Sequence, residues 1–251
     1  MGTITRTRKN PSGNVARRDP VAELRSAVLD WFKTQGRDFP WRRSADPFHI
    51  LVAEVLLRQT QASRVAGPYL ELMRRFPDAR TLSLTNLRSL RRWFKPLGLV
   101  RRADRLVRAA QLIVDRHNGR VPEDLAELMT LPGVGRYSAR AIQCVAFGTQ
   151  VPMIDEGSGR VLRRVLGMFS IRPAYSDSRL MEATEPLIPD ASPKEFNFGL
   201  IDIAAAYCRP KRPMCEQCPL VKVCKYAVSR LPHGSELNGG TRVVVSGTPS
   251  Q

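Results

Sequence analysis

LPGVGRYSARAIQCVAFGTQVPMID, residues 131 to 155, carries the pattern on which the reading of this 251-residue chain turns. Its first seven residues have the composition of a tight turn that feeds straight into a helix. Pro132 fixes one backbone angle, while Gly133 and Gly135 admit positive φ and let another molecule come close to the backbone. The amides of Gly133, Gly135 and Arg136 can then point outward together. With the positive end of the helix after Tyr137, they offer a cradle for a phosphate. From the turn alone, an ordinary Gly-rich connection between helices reads the same way.

Working outward, Glu123 to Met129 reads as a short helix behind the Asn118-Gly119 turn signal, so the element is helix, tight glycine turn, helix. Apolar residues recur at helical spacing in Val21 to Phe32, Tyr69 to Phe76, Leu82 to Leu90, Ala103 to Val114, Gly159 to Met168 and Phe196 to Tyr207, with another helix near Ser178 to Pro186. Pro47 starts a further helix with Ile50, Leu51, Val55 and Leu56 as its buried stripe, closed by Arg58, Gln59, Thr60 and Gln61. Strand signals are scarce apart from Thr241 to Val245. The expected fold class is all-α. The first 19 residues, basic and polar, read as an unfolded arm, and the Gly/Ser/Thr-rich stretch from about Leu231 as a tail.

Lys and Arg number 40 against 23 Asp and Glu, a formal net charge of +17. Such an excess suits an anionic partner, above all a phosphate backbone, although a membrane surface or an acidic protein also fits. Arg88, Arg91, Arg92, Lys95, Arg101, Arg102, Arg105 and Arg108 concentrate it against a single acid, Asp104. No run of about 18 apolar residues is present to span a bilayer, and the first twenty residues lack the apolar core of a secretory signal. The basic N-terminus weakly resembles an organellar transit peptide, but a cytoplasmic location on the chromosome is the expectation.

Four of the five cysteines, Cys208, Cys215, Cys218 and Cys224, fall within seventeen residues as C-x6-C-x2-C-x5-C. A disulfide scaffold would be spread along a short secreted chain, so clustering points to metal. Four thiolates suit either tetrahedral zinc or an iron–sulfur cluster, and the single C-x2-C pair favours the cluster. Two carboxylates stand out beside them. Glu54 lies in an otherwise almost uncharged helix, on its solvent face or in a cleft. Asp155 is either the N-cap of the next helix or a catalytic anion.

Together these residues resemble the helix-hairpin-helix DNA glycosylases, in particular the iron–sulfur branch of endonuclease III, MutY and Mig type. The likeness runs from about Phe39 to Cys224 and rests on FPWR (39–42), AEVLLRQTQ (53–61), LPGVGRY (131–137), Asp155 eighteen positions after Tyr137, and the cysteine spacing. It implies two helical domains with a DNA cleft between them: residues 42 to 155 as a bundle holding the hairpin, and residues 20 to 41 joined to 156 to 230 as a second domain carrying a [4Fe–4S] cluster on the four cysteines. It further implies a duplex partner with a mismatched or damaged base, a monomer, and an endonuclease that processes the abasic product.

Residue roles follow from the same resemblance. Leu131, Gly133, Gly135 and Arg136 would grip the backbone, and Gln59, flanked by Arg58 and Gln61, would wedge the duplex open. Asp155 would stabilise positive charge on the sugar, and Glu54 would donate a proton to the departing base. Tyr137 stands where endonuclease III types have lysine, and a phenol forms no Schiff base, so hydrolysis to an abasic site is expected. Gly98-Leu99-Val100, Glu156-Gly157 and the short tail depart from MutY types, whose C-terminal domain the tail is too short to form. Arg58, Ala146-Phe147-Gly148 and Phe196-Asn197 are Mig-like, whereas Gln59-Thr60-Gln61 is MutY-like. Thymine or uracil opposite guanine is therefore favoured over adenine opposite guanine or 8-oxoguanine, and a non-catalytic DNA-binding relative is the other class.

Overall fold

The structure, a computed structural model, describes residues 19 to 58, 60 to 95 and 98 to 230. Most of the basic arm, the tail with its Thr241 to Val245 strand signal, and Gln59 lie outside the described residues. Within them there are twelve α-helices and no strand. The helices are α1 (Pro20–Gln35), α2 (Pro47–Leu57), α3 (Ala62–Arg75), α4 (Ala79–Ser83), α5 (Leu87–Phe94), α6 (Val100–His117), α7 (Leu125–Thr130), α8 (Arg136–Phe147), α9 (Glu156–Leu166), α10 (Ser178–Thr184), α11 (Pro193–Ala206) and α12 (Lys225–Val228).

Local chemistry sets these boundaries. Asp46 caps α2, its carboxylate accepting from the amides of Phe48 (2.8 Å) and His49 (3.3 Å), with Pro47 preset at the first helical position. The expected run from Leu82 to Leu90 is broken in two because Asn86 caps α5 through the Arg88 and Ser89 amides. Asn118 takes the left-handed conformation at φ 54° and Gly119 follows at φ 82°, which ends α6 at the expected turn.

Two hydrophobic clusters organise the helices. One gathers α2 to α6 with α8 around Leu51, Leu56, Leu72, Phe94, Leu106 and Ile142. The other gathers α1, α9, α10 and α11 around Val28, Leu162, Leu180, Phe196 and Ile203. Consecutive residues join opposite clusters at one crossing, where Met153 belongs to the first and Ile154 to the second. The next residue is Asp155. Helix α11 straddles the same boundary, with Phe198 in the first cluster and Phe196 and Leu200 in the second.

Candidate active site

The α7-turn-α8 hairpin forms as the sequence suggests, with two corrections. Gly133 sits at φ +95°, a conformation other residues rarely adopt, and a Cβ there would touch Val55 and Arg105 at 3.4 Å. Gly135, in contrast, is extended at φ −106° and ψ 179° as the N-cap of α8; its role is to leave open space, since nothing lies within 4 Å of a Cβ built there. Helix α8 begins at Arg136, and no side chain caps it. Its first-turn amides therefore stay available to an anion. Leu131 is 2 % exposed, its amide bonded to Leu128 O and its carbonyl to Val134 N, so it is a core residue and not a contact group.

Arg58 Nη1 donates to Gly133 O at 3.1 Å, tying the segment after α2 to the hairpin. Arg102 holds that segment from α6, donating to the carbonyls of Leu56 and Arg58 and to Thr60 Oγ1 (2.9 Å). These carbonyls end α2 and carry its negative pole, which a guanidinium neutralises. Arg58 and Gln61 are exposed on this segment.

Beside the hairpin opens a cavity of about 980 Å³ whose lining includes Glu54, Arg58, Gly135, Tyr137, Ser138 and Asp155. Three groups at distant sequence positions thus share one space. Glu54 comes from the middle of α2, whose other residues are almost all apolar and buried. Desolvation by those neighbours raises its pKa to about 8, with Asp155 adding to the rise while a Ser138 hydrogen bond and Arg58 oppose it. At neutral pH Glu54 is therefore mostly protonated. Burial, followed by the charges of Glu54 and Asp155, pushes the Tyr137 phenol well above its ordinary range, so it stays neutral.

Asp155 is both things the sequence allowed. It caps α9, with Oδ1 accepting from the Ser158 amide at 2.6 Å and the Ser158 hydroxyl at 2.9 Å, while the Ser158 hydroxyl oxygen accepts from the Asp155 amide at 3.0 Å. It also lines two cavities at once. The second, about 870 Å³, is walled by Gly98, Leu99, Arg101, Arg102 and Arg105 at the start of α6, and it shares Arg58, Tyr137, Asp155 and Tyr175 with the first. A carboxylate stands where a more apolar cavity meets an arginine-lined groove.

Arg37, Phe39, Trp41, Arg42 and Phe198 also line the first cavity, and Asp202 behind them has a role that was not apparent in the sequence. Asp202, 1 % exposed, accepts both guanidinium ends of Arg42 (2.7 and 2.9 Å) and the Arg37 Nε (2.7 Å). Burial would raise the Asp202 pKa, but Arg42 and Arg37 win and hold it below the usual carboxylate range. Arg42 in turn lies 4.2 Å from the Phe198 ring centroid, and Phe39 stacks on Trp41 at 4.9 Å. FPWR is thus a structural corner of the cavity.

Cys208 is buried, Cys215, Cys218 and Cys224 are partly buried, and all four are free thiols. Burial, and after it the charge of Cys208, push Cys215 up, and Cys218 rises to about 12 from desolvation despite a Leu220 amide bond. Arg164 Nη1 approaches Cys208 Sγ at 3.2 Å. Among the described residues, no group of three or more His, Cys, Asp or Glu is disposed to hold a single metal ion. The charges of Cys208, Cys215 and Cys224 each raise Cys218, so the four sulfurs lie in one neighbourhood.

Residues 52 to 186 match the model of the HhH-GPD superfamily of base excision DNA repair proteins. The chain belongs to that family. Within the HhH-GPD family it is 35% identical to the thymine/uracil-DNA glycosylase of Methanothermobacter thermautotrophicus, over 80% of this chain and 91% of that protein. It is 38% identical to the adenine DNA glycosylase of Mycobacterium tuberculosis, over 77% of this chain and 64% of that protein. Among solved structures, a thermostable thymine-DNA glycosylase superposes with a TM-score of 0.78 at 33% identity, covering 84% of this chain and 97% of that one. The HhH-GPD match runs from the middle of α2 through α10, and so includes both carboxylates and the hairpin.

Proposed function

We propose that this protein is a monofunctional DNA glycosylase that hydrolyses the N-glycosidic bond of a thymine or uracil opposite guanine. The observation that carries the reading is the position of Asp155 between two spaces of different chemistry. A nucleotide extruded from a duplex has the same division, a flat base on one side and an anionic backbone on the other. The arginine-lined groove and the first-turn amides of α8 suit the backbone, and the cavity around Glu54 suits the base. The M. thermautotrophicus relative and the solved thymine-DNA glycosylase support thymine or uracil as the base. The M. tuberculosis relative favours adenine as the second reading.

The chemistry follows from the charge states. As the glycosidic bond breaks, its electron pair leaves with the base and positive charge grows on the sugar. Asp155 faces that charge as an anion fixed by Ser158, needing no reorganisation at the moment of reaction. Glu54, mostly protonated at neutral pH, donates its proton to the departing base. Water adds its oxygen to the sugar carbon, and the proton it sheds returns Glu54 to its protonated form. Tyr137 offers no amine, so no covalent intermediate forms on it and strand cleavage is left to a separate endonuclease.

Cys208, Cys215, Cys218 and Cys224 would hold a [4Fe–4S] cluster, which would cross-link the loop from α11 to α12 and supply structure. Their free thiols and mutual proximity support this, and brown colour with visible absorbance in freshly purified protein, lost in Cys215→Ser, tests it. The substrate is tested by incubating the protein with duplexes carrying single G·T, G·U, A·G and A·8-oxoguanine pairs. Release of thymine or uracil supports the reading, and release of adenine alone replaces it with the second.

A further inference from the structure

Residues 148 to 155 join α8 to α9 without regular secondary structure, yet Pro152, Met153 and Ile154 are buried. Buried backbone outside helix or sheet must still pair its polar groups. At the N-terminal end the chain does so itself, through Thr149 N to Gln143 O and Val151 N to Thr149 O. Further along, side chains supply the partners. Asn197 of α11, 1 % exposed, accepts the Met153 amide on Oδ1 at 2.8 Å and donates from Nδ2 to Val151 O at 3.0 Å. Nδ2 also donates to Pro193 O at 2.9 Å, one turn back in its own helix, and lies 3.4 Å from Cys144 Sγ.

The carboxamide reaches a carbonyl and the amide two residues later, the pair of groups that a neighbouring strand would satisfy. Its orientation is fixed, because the reverse would set a donor against the Met153 N–H and an acceptor against two carbonyls. Only Ile154 separates the anchored Met153 from Asp155, and Ser158 holds the carboxylate from the other side. In α11, Phe198 and Ile201 follow Asn197 into the wall of the first cavity. One side chain therefore links that wall to the backbone leading into Asp155.

We propose that Asn197 is a positioning residue for Asp155, standing in for an absent strand neighbour and setting where the carboxylate meets the boundary of the two cavities. This rests on the catalytic reading of Asp155 given above.

The test compares Asn197→Leu, Asn197→Ser, Asp155→Asn and the control Thr184→Val, which removes another fully buried side-chain hydrogen bond, from Thr184 Oγ1 to Leu180 O. Two quantities are read: the single-turnover excision rate, and affinity for a duplex with a tetrahydrofuran abasic analogue opposite guanine. Misplacement by a fraction of an ångström to an ångström predicts a rate roughly ten- to a hundredfold slower for Asn197→Leu with affinity unchanged, while Thr184→Val keeps its rate. Asn197→Ser shows the same split to a smaller degree and carries the test if the leucine variant does not fold. A wild-type rate in both Asn197 variants, or rate and affinity falling together, overturns the proposal. If Asp155→Asn itself excises at the wild-type rate, the reading of the site falls and this inference with it; an inactive Asp155→Asn beside fully active Asn197 variants overturns this inference alone.

Discussion

Ser158 gives both its backbone amide and its hydroxyl to a single oxygen of Asp155, at 2.6 and 2.9 Å, while its hydroxyl oxygen takes the Asp155 amide. The pair caps α9 and aims the acid in one arrangement. Ser158→Ala removes the hydroxyl and keeps the amide. It is expected to destabilise the fold by about 1.5–3 kcal/mol, the usual contribution of a hydrogen bond to a charged group. Excision should slow by about tenfold or more as the carboxylate loses its aim, with duplex affinity retained. Thermal melts and single-turnover kinetics read the two effects separately.

Glu54 makes stability and rate depend on pH in a defined direction. Its folded pKa, about 8, lies above the ordinary carboxyl value of 4.5, so between those pH values the folded chain holds a proton that the unfolded chain has released. Stability from this group falls as pH rises through that window and levels off above it. Glu54→Gln should therefore gain thermal stability relative to the wild type on going from pH 5 to pH 8, by differential scanning calorimetry. The wild-type excision rate should decline above pH of about 8 as the acid ionises, and that limb should be missing in the slower glutamine variant.

Tyr137 predicts what the reaction leaves behind. With a neutral phenol beside Asp155 and no amine on that side chain, borohydride should trap no protein–DNA adduct there, and alkali should be needed to break the strand after excision. Efficient trapping by the wild-type protein would contradict hydrolysis.

Gly133 predicts a defect of grip. Alanine at φ +95° costs on the order of 1–2 kcal/mol of backbone strain, and its methyl meets Val55 and Arg105. The turn would shift the first-turn amides of α8 away from a phosphate. Gly133→Ala should bind duplex more weakly, with a smaller effect on the rate at saturating protein, in fluorescence anisotropy and single-turnover assays.

Helical periodicity made most of the fold legible, since it records which faces are buried. The hairpin was legible because a proline and two glycines announce a turn whatever surrounds it. The turn's details were not. Gly135 carries the same composition signal as Gly133 but needs open space in place of positive φ, a difference set by where the cavity lies. The break between α4 and α5 hides behind continuous apolar spacing, and only Asn86 marks it. Glu54 could be seen as out of place in an apolar run, but its elevated pKa depends on α8 packing against α2. Arg42 and Asp202 are 160 residues apart, so their pairing has no local signature.

The role of Asp155 is tested by single-turnover excision from a duplex with one G·T pair, by the wild type and by Asp155→Asn, with duplex affinity measured alongside. Asparagine still caps α9, so the fold is preserved. The wild type should release thymine and leave an abasic site, and the variant should be slower by about a hundredfold or more at unchanged affinity. Thymine release by Asp155→Asn at the wild-type rate would contradict that role.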